Sequence, residues 1–151
     1  MLPFRSQPPA PHLRPGYGLA TNPWPEATGL TRLLERAGEG ARPAERWQRV
    51  LERSLWHLAV VNPSGELVGF VRATSDLALN ANLWDLLSDP EDPARIEVLQ
   101  VLVHAALQRL RRELAGCSVS LSAPPEALKA LEQHGFVIDP GGIRAMGLPL
   151  R

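Results

Sequence analysis

Glu91, Asp92 and Glu97 place three negative charges where a phosphate would otherwise dock. They lie in the run Trp84 to Leu114, WDLLSDPEDPARIEVLQVLVHAALQRLRREL. That run reads as a short buried strand, a tight turn and a long amphipathic helix. A strand feeding a helix N-terminus offers free backbone N–H groups and the positive end of the helix dipole to an anion. Close approach of a phosphate to that backbone usually requires glycine. No glycine occurs between Gly69 and Gly116. The junction has the architecture of a phosphate-binding turn with carboxylates in place of its chemistry.

Other residues could do chemistry, and each has a plainer reading. Asp85 could receive or deprotonate an amine, which requires an approach of about 3 Å, directly or through one water. Its alternative is a strand-end carboxylate bonded to nearby backbone. Asp76 and Asn80 flank a loop and could meet a substrate, or could serve only as turn formers. His134, before Gly135 at a helix end, is either a proton donor or a partner of the dipole. His57 is expected in a strand against a helix, and His104 on the solvent side of its helix. The four histidines lack metal-ligand spacing, so no metal site is expected. Cys117 reads as a buried structural thiol. Ser118, Ser120 and Ser122 alternate on one strand face. Arg109, Arg111 and Arg112 suit a solvated helix C-terminus or an acidic partner. Trp24, Trp47 and Trp56 read as core or semi-buried anchors of the N-terminal half.

The elements that must position these groups follow from periodicity and punctuation. Residues 1–15 hold five prolines and read as a disordered or extended arm, leaving 16–151 as a single domain. Gly16 to Ala20 is a first strand. Helices follow over Glu26 to Ala37 and over Ala44 to Ser54, where Trp47, Val50 and Leu51 form the apolar stripe. Leu55 to Val61 and Glu66 to Thr74 form a hairpin around Asn62-Pro63-Ser64-Gly65. Gly69 inside the second strand signals a bulge or close packing. Leu67, Gly69, Val71 and Ala73 share one face; Val68, Phe70, Arg72 and Thr74 share the other. A strand over Asn82 to Leu87 precedes the long helix, which is expected to start with Asp92 as N-cap and Pro93 at its first position. A strand over Ser118 to Ser122, a short helix over Glu126 to His134 and a terminal hairpin from Phe136 to Leu150 complete the order β-α-α-β-β-β-α-β-α-β-β.

Bulk properties narrow the class. A chain of 151 residues with 44% hydrophobic content suits one globular domain. Formal net charge is zero, which gives no global attraction to nucleic acid or an anionic membrane. The bias toward arginine, proline and alanine is that of a GC-rich genome. One cysteine excludes an internal disulfide. No apolar run approaches the roughly 20 residues of a membrane span, and no secretion signal is visible. A soluble, bacterial-type cytoplasmic protein is expected.

Two motifs carry a family resemblance. The first is Gly69, Phe70, Arg72, Thr74, Ser75, Asp76, Asn80, Ala81, Trp84 and Asp85. The second is Gly135, Phe136, Asp139, Pro140, Gly142, Ile143, Arg144 and Met146. With the element order, they resemble the GNAT (GCN5-related N-acetyltransferase) superfamily, most of all its cyanobacterial and chloroplast branch. The likeness covers Leu55 to the C-terminus, and the N-terminal helices by order.

The resemblance implies an α/β fold with a mixed central sheet flanked by helices. It implies acetyl-CoA lying along the strand edge at Leu86, Leu87 and Ser88, with the pyrophosphate held at Pro93 to Leu99. In this chain that segment, PARIEVL, has no glycine and contains Glu97. A carboxylate beside a pyrophosphate costs roughly 1–4 kcal/mol at about 4 Å, and Arg95 is the one positive contact in the segment. At the family's general-acid tyrosine, which protonates the departing thiolate, stands Leu131. His134 is the weak substitute there, and Tyr17 belongs to the first strand. The leading expectation is a weak or inactive acetyltransferase-like protein acting as a binding or regulatory module. The alternative is an active acetyl-CoA-dependent N-acetyltransferase, in which Asp85 or a water takes the amine proton and Asp76 and Asn80 meet the substrate. A protein partner or a homodimer through the SVSLS edge is expected, with no nucleic acid and no membrane.

Overall fold

The computed structural model describes residues 9–23, 27–40 and 42–150. Trp24 and Glu26, the expected start of the first helix, fall outside them. Five strands form one sheet in sequential order: β1 (Gly18–Thr21), β2 (Trp56–Val61), β3 (Leu67–Ser75), β4 (Asn80–Ser88) and β5 (Ser118–Leu121). The first four pair antiparallel, β1 with β2 across the intervening helices and β2–β3 and β3–β4 through short turns, and β5 pairs parallel with β4. A parallel pair requires a crossover, supplied by α3 (Arg95–Glu113). The mixed sheet with flanking helices expected from the sequence is the architecture observed.

Each sheet face has its own core. α1 (Ala27–Arg36) and α2 (Ala44–Arg53) cover one face, where Leu30, Leu33, Leu34, Trp47 and Leu51 meet Phe70 and Leu87. α3 and the short α4 (Leu128–Gln133), which follows a 3-10 turn at Pro125–Ala127, cover the other. There Trp56, Leu58, Val60, Val71 and Leu83 meet Val98, Leu99, Leu102 and Leu110. His57 packs on the first face, buried beside Phe70, with its ring bonded to the Pro23 carbonyl. Gly69 shows close packing: a Cβ there would overlap Val98 Cγ1 and lie 3.0 Å from Leu102 Cδ1.

Three expectations are corrected. Alternation in β3 fails at its start: the register shifts between Val60 and Val61, so Val68 joins the α3-side core and Leu67 packs on the opposite one. A bulge lets two successive side chains turn to one face. Second, α3 starts at Arg95, not Pro93, because Asp92 folds its own turn: its Oδ1 accepts the Ala94 N–H at 2.8 Å, and its carbonyl accepts the Arg95 N–H. Third, the C-terminal hairpin does not form. Asp139, Gly141 and Gly142 take positive φ around a 3-10 turn, and residues 143–150 run exposed without strand pairing. Gly147 and Pro149 are poor strand residues, which suits that outcome.

Residues 9–14 of the arm carry no helix or strand. Leu13 packs against the α3-side core, and Arg14 pairs with Glu97 at 2.9 Å.

Candidate functional site

β4 changes character at Trp84 and Asp85. Asp85 holds φ 55°, a left-handed conformation that Asp tolerates better than most residues. The β3–β4 register shifts here, between Phe70 and Arg72. Asp85 Oδ2 accepts from Arg72 Nε at 2.6 Å, Trp84 Nε1 donates to Thr74 Oγ1 at 2.7 Å, and the Arg72 guanidinium lies 5.6 Å from the Trp84 ring centre. Both residues are thus tied to β3 side chains. The β4–β5 ladder ends at Leu83↔Leu121, just before the bulge. From Trp84 to Ser88 the β5-facing edge of β4 has no strand partner among the described residues. A cleft of about 330 Å³ opens there, walled by Leu83 to Ser88 on one side and Ser122 to Pro124 on the other. Leu86, Leu87 and Ser88 are buried, so what they offer the cleft is backbone. Glu39, Asp85 and Glu126 make its rim acidic.

The entry to α3 lies just past this strand edge, and several backbone N–H groups there are already taken by its own carboxylates. Asp89 Oδ1 accepts the Glu91 N–H at 2.9 Å, while its Oδ2 pairs with Arg36 at 2.7 Å. Asp92 Oδ1 accepts both the Ala94 N–H and the Tyr17 hydroxyl, the latter at 2.9 Å. The Glu97 carboxyl is held below its ordinary pKa by its own backbone N–H and then by Arg14. Burial, followed by the Asp92 carboxylate, raises the Tyr17 phenol. Arg95 opens α3, exposed and without an ion-pair partner among the described residues. Chemically, the junction resembles an anion site filled by its own carboxylates.

The remaining candidates separate from this region. Asp76 accepts the N–H groups of Ala78, Leu79 and Asn80, and these bonds, Asn80 foremost, lower its pKa to about 2. Asn80 Nδ2 approaches Asp76 at 3.4 Å, so the pair closes the β3–β4 loop. His134 bonds the Ala130 carbonyl at 2.8 Å and lines a cavity with Gln100, His104 and Pro9–Pro11 that shares no residue with the cleft. His104 is half-buried against His134 rather than facing solvent; burial lowers its pKa, with the charges of His134 and Arg111 adding to the effect. Leu131 is buried in the α3-side core. Cys117 is only half-buried and unpaired, short of the buried thiol expected. Ser120 accepts from Asn82 at 2.7 Å, and Ser122 reaches the cleft. Arg109 pairs with Glu113 at 2.8 Å and covers Trp56. Among the described residues, no cluster of three His, Cys, Asp or Glu could hold a metal, and no helix is long and apolar enough to cross a membrane.

Sequence reasoning missed Tyr17 and Arg72. Tyr17 reaches α3 from 75 residues away, which no local pattern signals. Arg72 lies across the bulge from Asp85, and its place in the first motif was the available signal.

A mixed sheet whose parallel pair splays open beside a bulged strand, with a helix entering at the opening, defines an N-acyltransferase type of fold. The comparisons agree. An uncharacterized N-acetyltransferase, ycf52, from Pyropia yezoensis is 30% identical over 120 residues, spanning 78% of this chain and 68% of the relative. A Staphylococcus aureus protein described as a probable acetyltransferase superposes with a TM-score of 0.76 at 16% identity, over 89% of this chain and 99% of its own. YhbS, a GNAT family N-acetyltransferase from Escherichia coli solved in complex with CoA, superposes at 0.64 and 20% identity, over 86% and 74%. No family model matches the chain. The chain belongs to the GNAT (GCN5-related N-acetyltransferase) family.

Proposed function

We propose that this chain is a GNAT-fold binding or regulatory module, or a very weak acetyltransferase, with a reduced hold on acetyl-CoA. The observation that carries this reading is the self-filled entry to α3. Asp89, Asp92 and Glu97 each accept a backbone N–H there. The cleft fits the extended part of an acyl-CoA, because the β4 edge is free; the helix entry does not fit a pyrophosphate. Buried Leu131 supplies no proton at the general-acid position, and His134 faces another cavity. A bacterial-type cytoplasm suits the single, free Cys117.

Titration of the purified chain with acetyl-CoA, followed by calorimetry and melting temperature, tests this. Binding no tighter than about millimolar, near −4 kcal/mol, is expected. A dissociation constant in the low micromolar range would sink the reading and favour the second: a working N-acetyltransferase on a small molecule or protein amine. The observation favouring that alternative is the intact splay of β4 from β5, with Arg95 unpaired at its end.

A further inference from the structure

A second concavity, of about 560 Å³, opens between α2 and β3, and its charge is of one sign. Arg42, Arg46, Arg49, Arg53 and Arg72 line it, and among the described residues no carboxylate does. The four α2-side arginines are spaced 4, 3 and 4 apart, so they fall in one row, while Trp47 and Leu51 point from the same helix into the core. At 1.5 Å per residue the row runs about 16 Å. All four are exposed, and among the described residues none has a carboxylate within ion-pair distance. Glu45 and Glu52 lie on the adjoining arc of α2 rather than in the groove, and Glu52 accepts from Gln48.

Such a row opposes folding. Like charges at a spacing of four on a helix destabilise it by roughly 0.2–0.5 kcal/mol per pair. Arg14, Arg36, Arg72, Arg109 and Arg144, by contrast, each pair with a carboxylate. The Trp47 indole N–H is buried with no hydrogen-bond partner. The Ser54 hydroxyl donates to the Val50 carbonyl, and Thr74 Oγ1 is taken by Trp84. The groove presents four unpaired guanidinium groups, beside that of Arg72, which is shared with Asp85.

We infer that this arginine groove docks an acidic polypeptide segment. A single small carboxylate would meet one or two guanidinium forks, whereas the row spans several residues of an extended chain at about 3.4 Å each. A nucleic acid strand fits less well. The neighbouring cleft is rimmed by Glu39, Asp85 and Glu126, and Trp47, the aromatic residue of the groove, is buried and offers no face for base stacking. Groove and cleft share a wall, because Arg72 bonds Asp85 and Thr74 bonds Trp84. The segment so held would pass beside the mouth of the cleft. The inference rests on the binding-module reading for its purpose, and names the chemistry of the partner.

The test is fluorescence anisotropy of a labelled Glu-rich peptide of about twelve residues with the full chain, in the absence of acetyl-CoA, at about 50 and 300 mM salt. Expected is a micromolar dissociation constant at low salt, weakened about tenfold at high salt. Arg46→Glu with Arg49→Glu should weaken binding at least tenfold, while Arg46→Lys with Arg49→Lys should keep most of it. Thermal melting of both double variants confirms that they are folded. No binding of the peptide at about 1 mM, an unchanged constant in the folded charge-reversal variant, or tighter binding of a single-stranded oligonucleotide of equal charge would each overturn the inference. Because acetyl-CoA is absent, the outcome is independent of how tightly the cleft holds that cofactor.

Discussion

Asp85 holds a left-handed backbone in the middle of a strand, and its carboxylate is bound to Arg72 at 2.6 Å. The two facts depend on each other. The left-handed turn puts Trp84 and Asp85 against the same β3 side chains, and the ion pair holds the turn. An ordinary L-residue at such a φ costs roughly 1–2 kcal/mol, which Asp and Asn partly escape by local hydrogen bonding. Asp85→Asn keeps that tolerance and one acceptor for Arg72, so a loss of no more than about 1 kcal/mol is expected. Asp85→Ala loses both, and a loss of about 2–3 kcal/mol is expected. Urea unfolding of the two variants decides it; equal losses would show that neither the turn nor the pair matters. The sequence made Asp85 legible as a carboxylate beside Trp84 but not as a bulge residue, because φ leaves no mark on residue type when the residue is Asp. Asp76 shows the reverse: its turn-forming reading, open in the sequence, matches three backbone N–H bonds to one oxygen.

Elements with long, regular patterns were readable and those set by a single local contest were not. α3 carries apolar residues from Val98 to Leu110 on one broad face, and the crossover from β4 to parallel β5 follows from it. Its first turn was misplaced because Pro93 suits a helix start, whereas Asp92 bonds the Ala94 N–H and closes a separate turn first. The Asp139-Pro140-Gly141-Gly142 turn predicts a C-terminal hairpin, but the left-handed residues Asp139, Gly141 and Gly142 leave Ile143 and Met146 in solvent instead. The α2 arginine row is legible in its 4, 3, 4 spacing, but the apolar stripe of the same helix is the stronger signal. The absence of glycine at the α3 entry was legible; what fills the entry was not, since Tyr17 and Arg14 arrive from the distant N-terminus. If the carboxylates there repel a pyrophosphate, removing one charge should help. Glu97→Gln is expected to strengthen acetyl-CoA binding about fivefold, the ~1 kcal/mol of one screened charge at about 4 Å. Glu97 lies on the half-exposed side of α3, so the substitution leaves the core intact. Unchanged affinity by calorimetry would show that the charge is not what limits binding.

At the scale of the molecule, one sheet joins two separate cores, and the N-terminal segment ties together parts of the second. Leu13 packs on the α3-side core, Arg14 reaches Glu97, and Tyr17 bonds Asp92, all before β1 begins. The segment therefore straps the entry of α3 to the sheet edge opposite β5. Composition alone points to a loose arm, since prolines without apolar periodicity give no packing signal; one leucine and one arginine suffice to dock it. The two descriptions differ measurably. Burial of about half a leucine contributes roughly 1 kcal/mol, and an exposed ion pair adds between nothing and about 1 kcal/mol. The double substitution Leu13→Ala with Arg14→Ala should lower the melting temperature by about 2–6 °C in a domain of this size. Most of the drop should come from Leu13→Ala, with the Arg14→Ala share vanishing at high salt, where exposed charge pairs are screened. A loose arm would leave the melting temperature of both variants unchanged at every salt concentration. In that case the carboxylates at the α3 entry would stand without their strap, and Glu97 would lose the cation that now neutralises it.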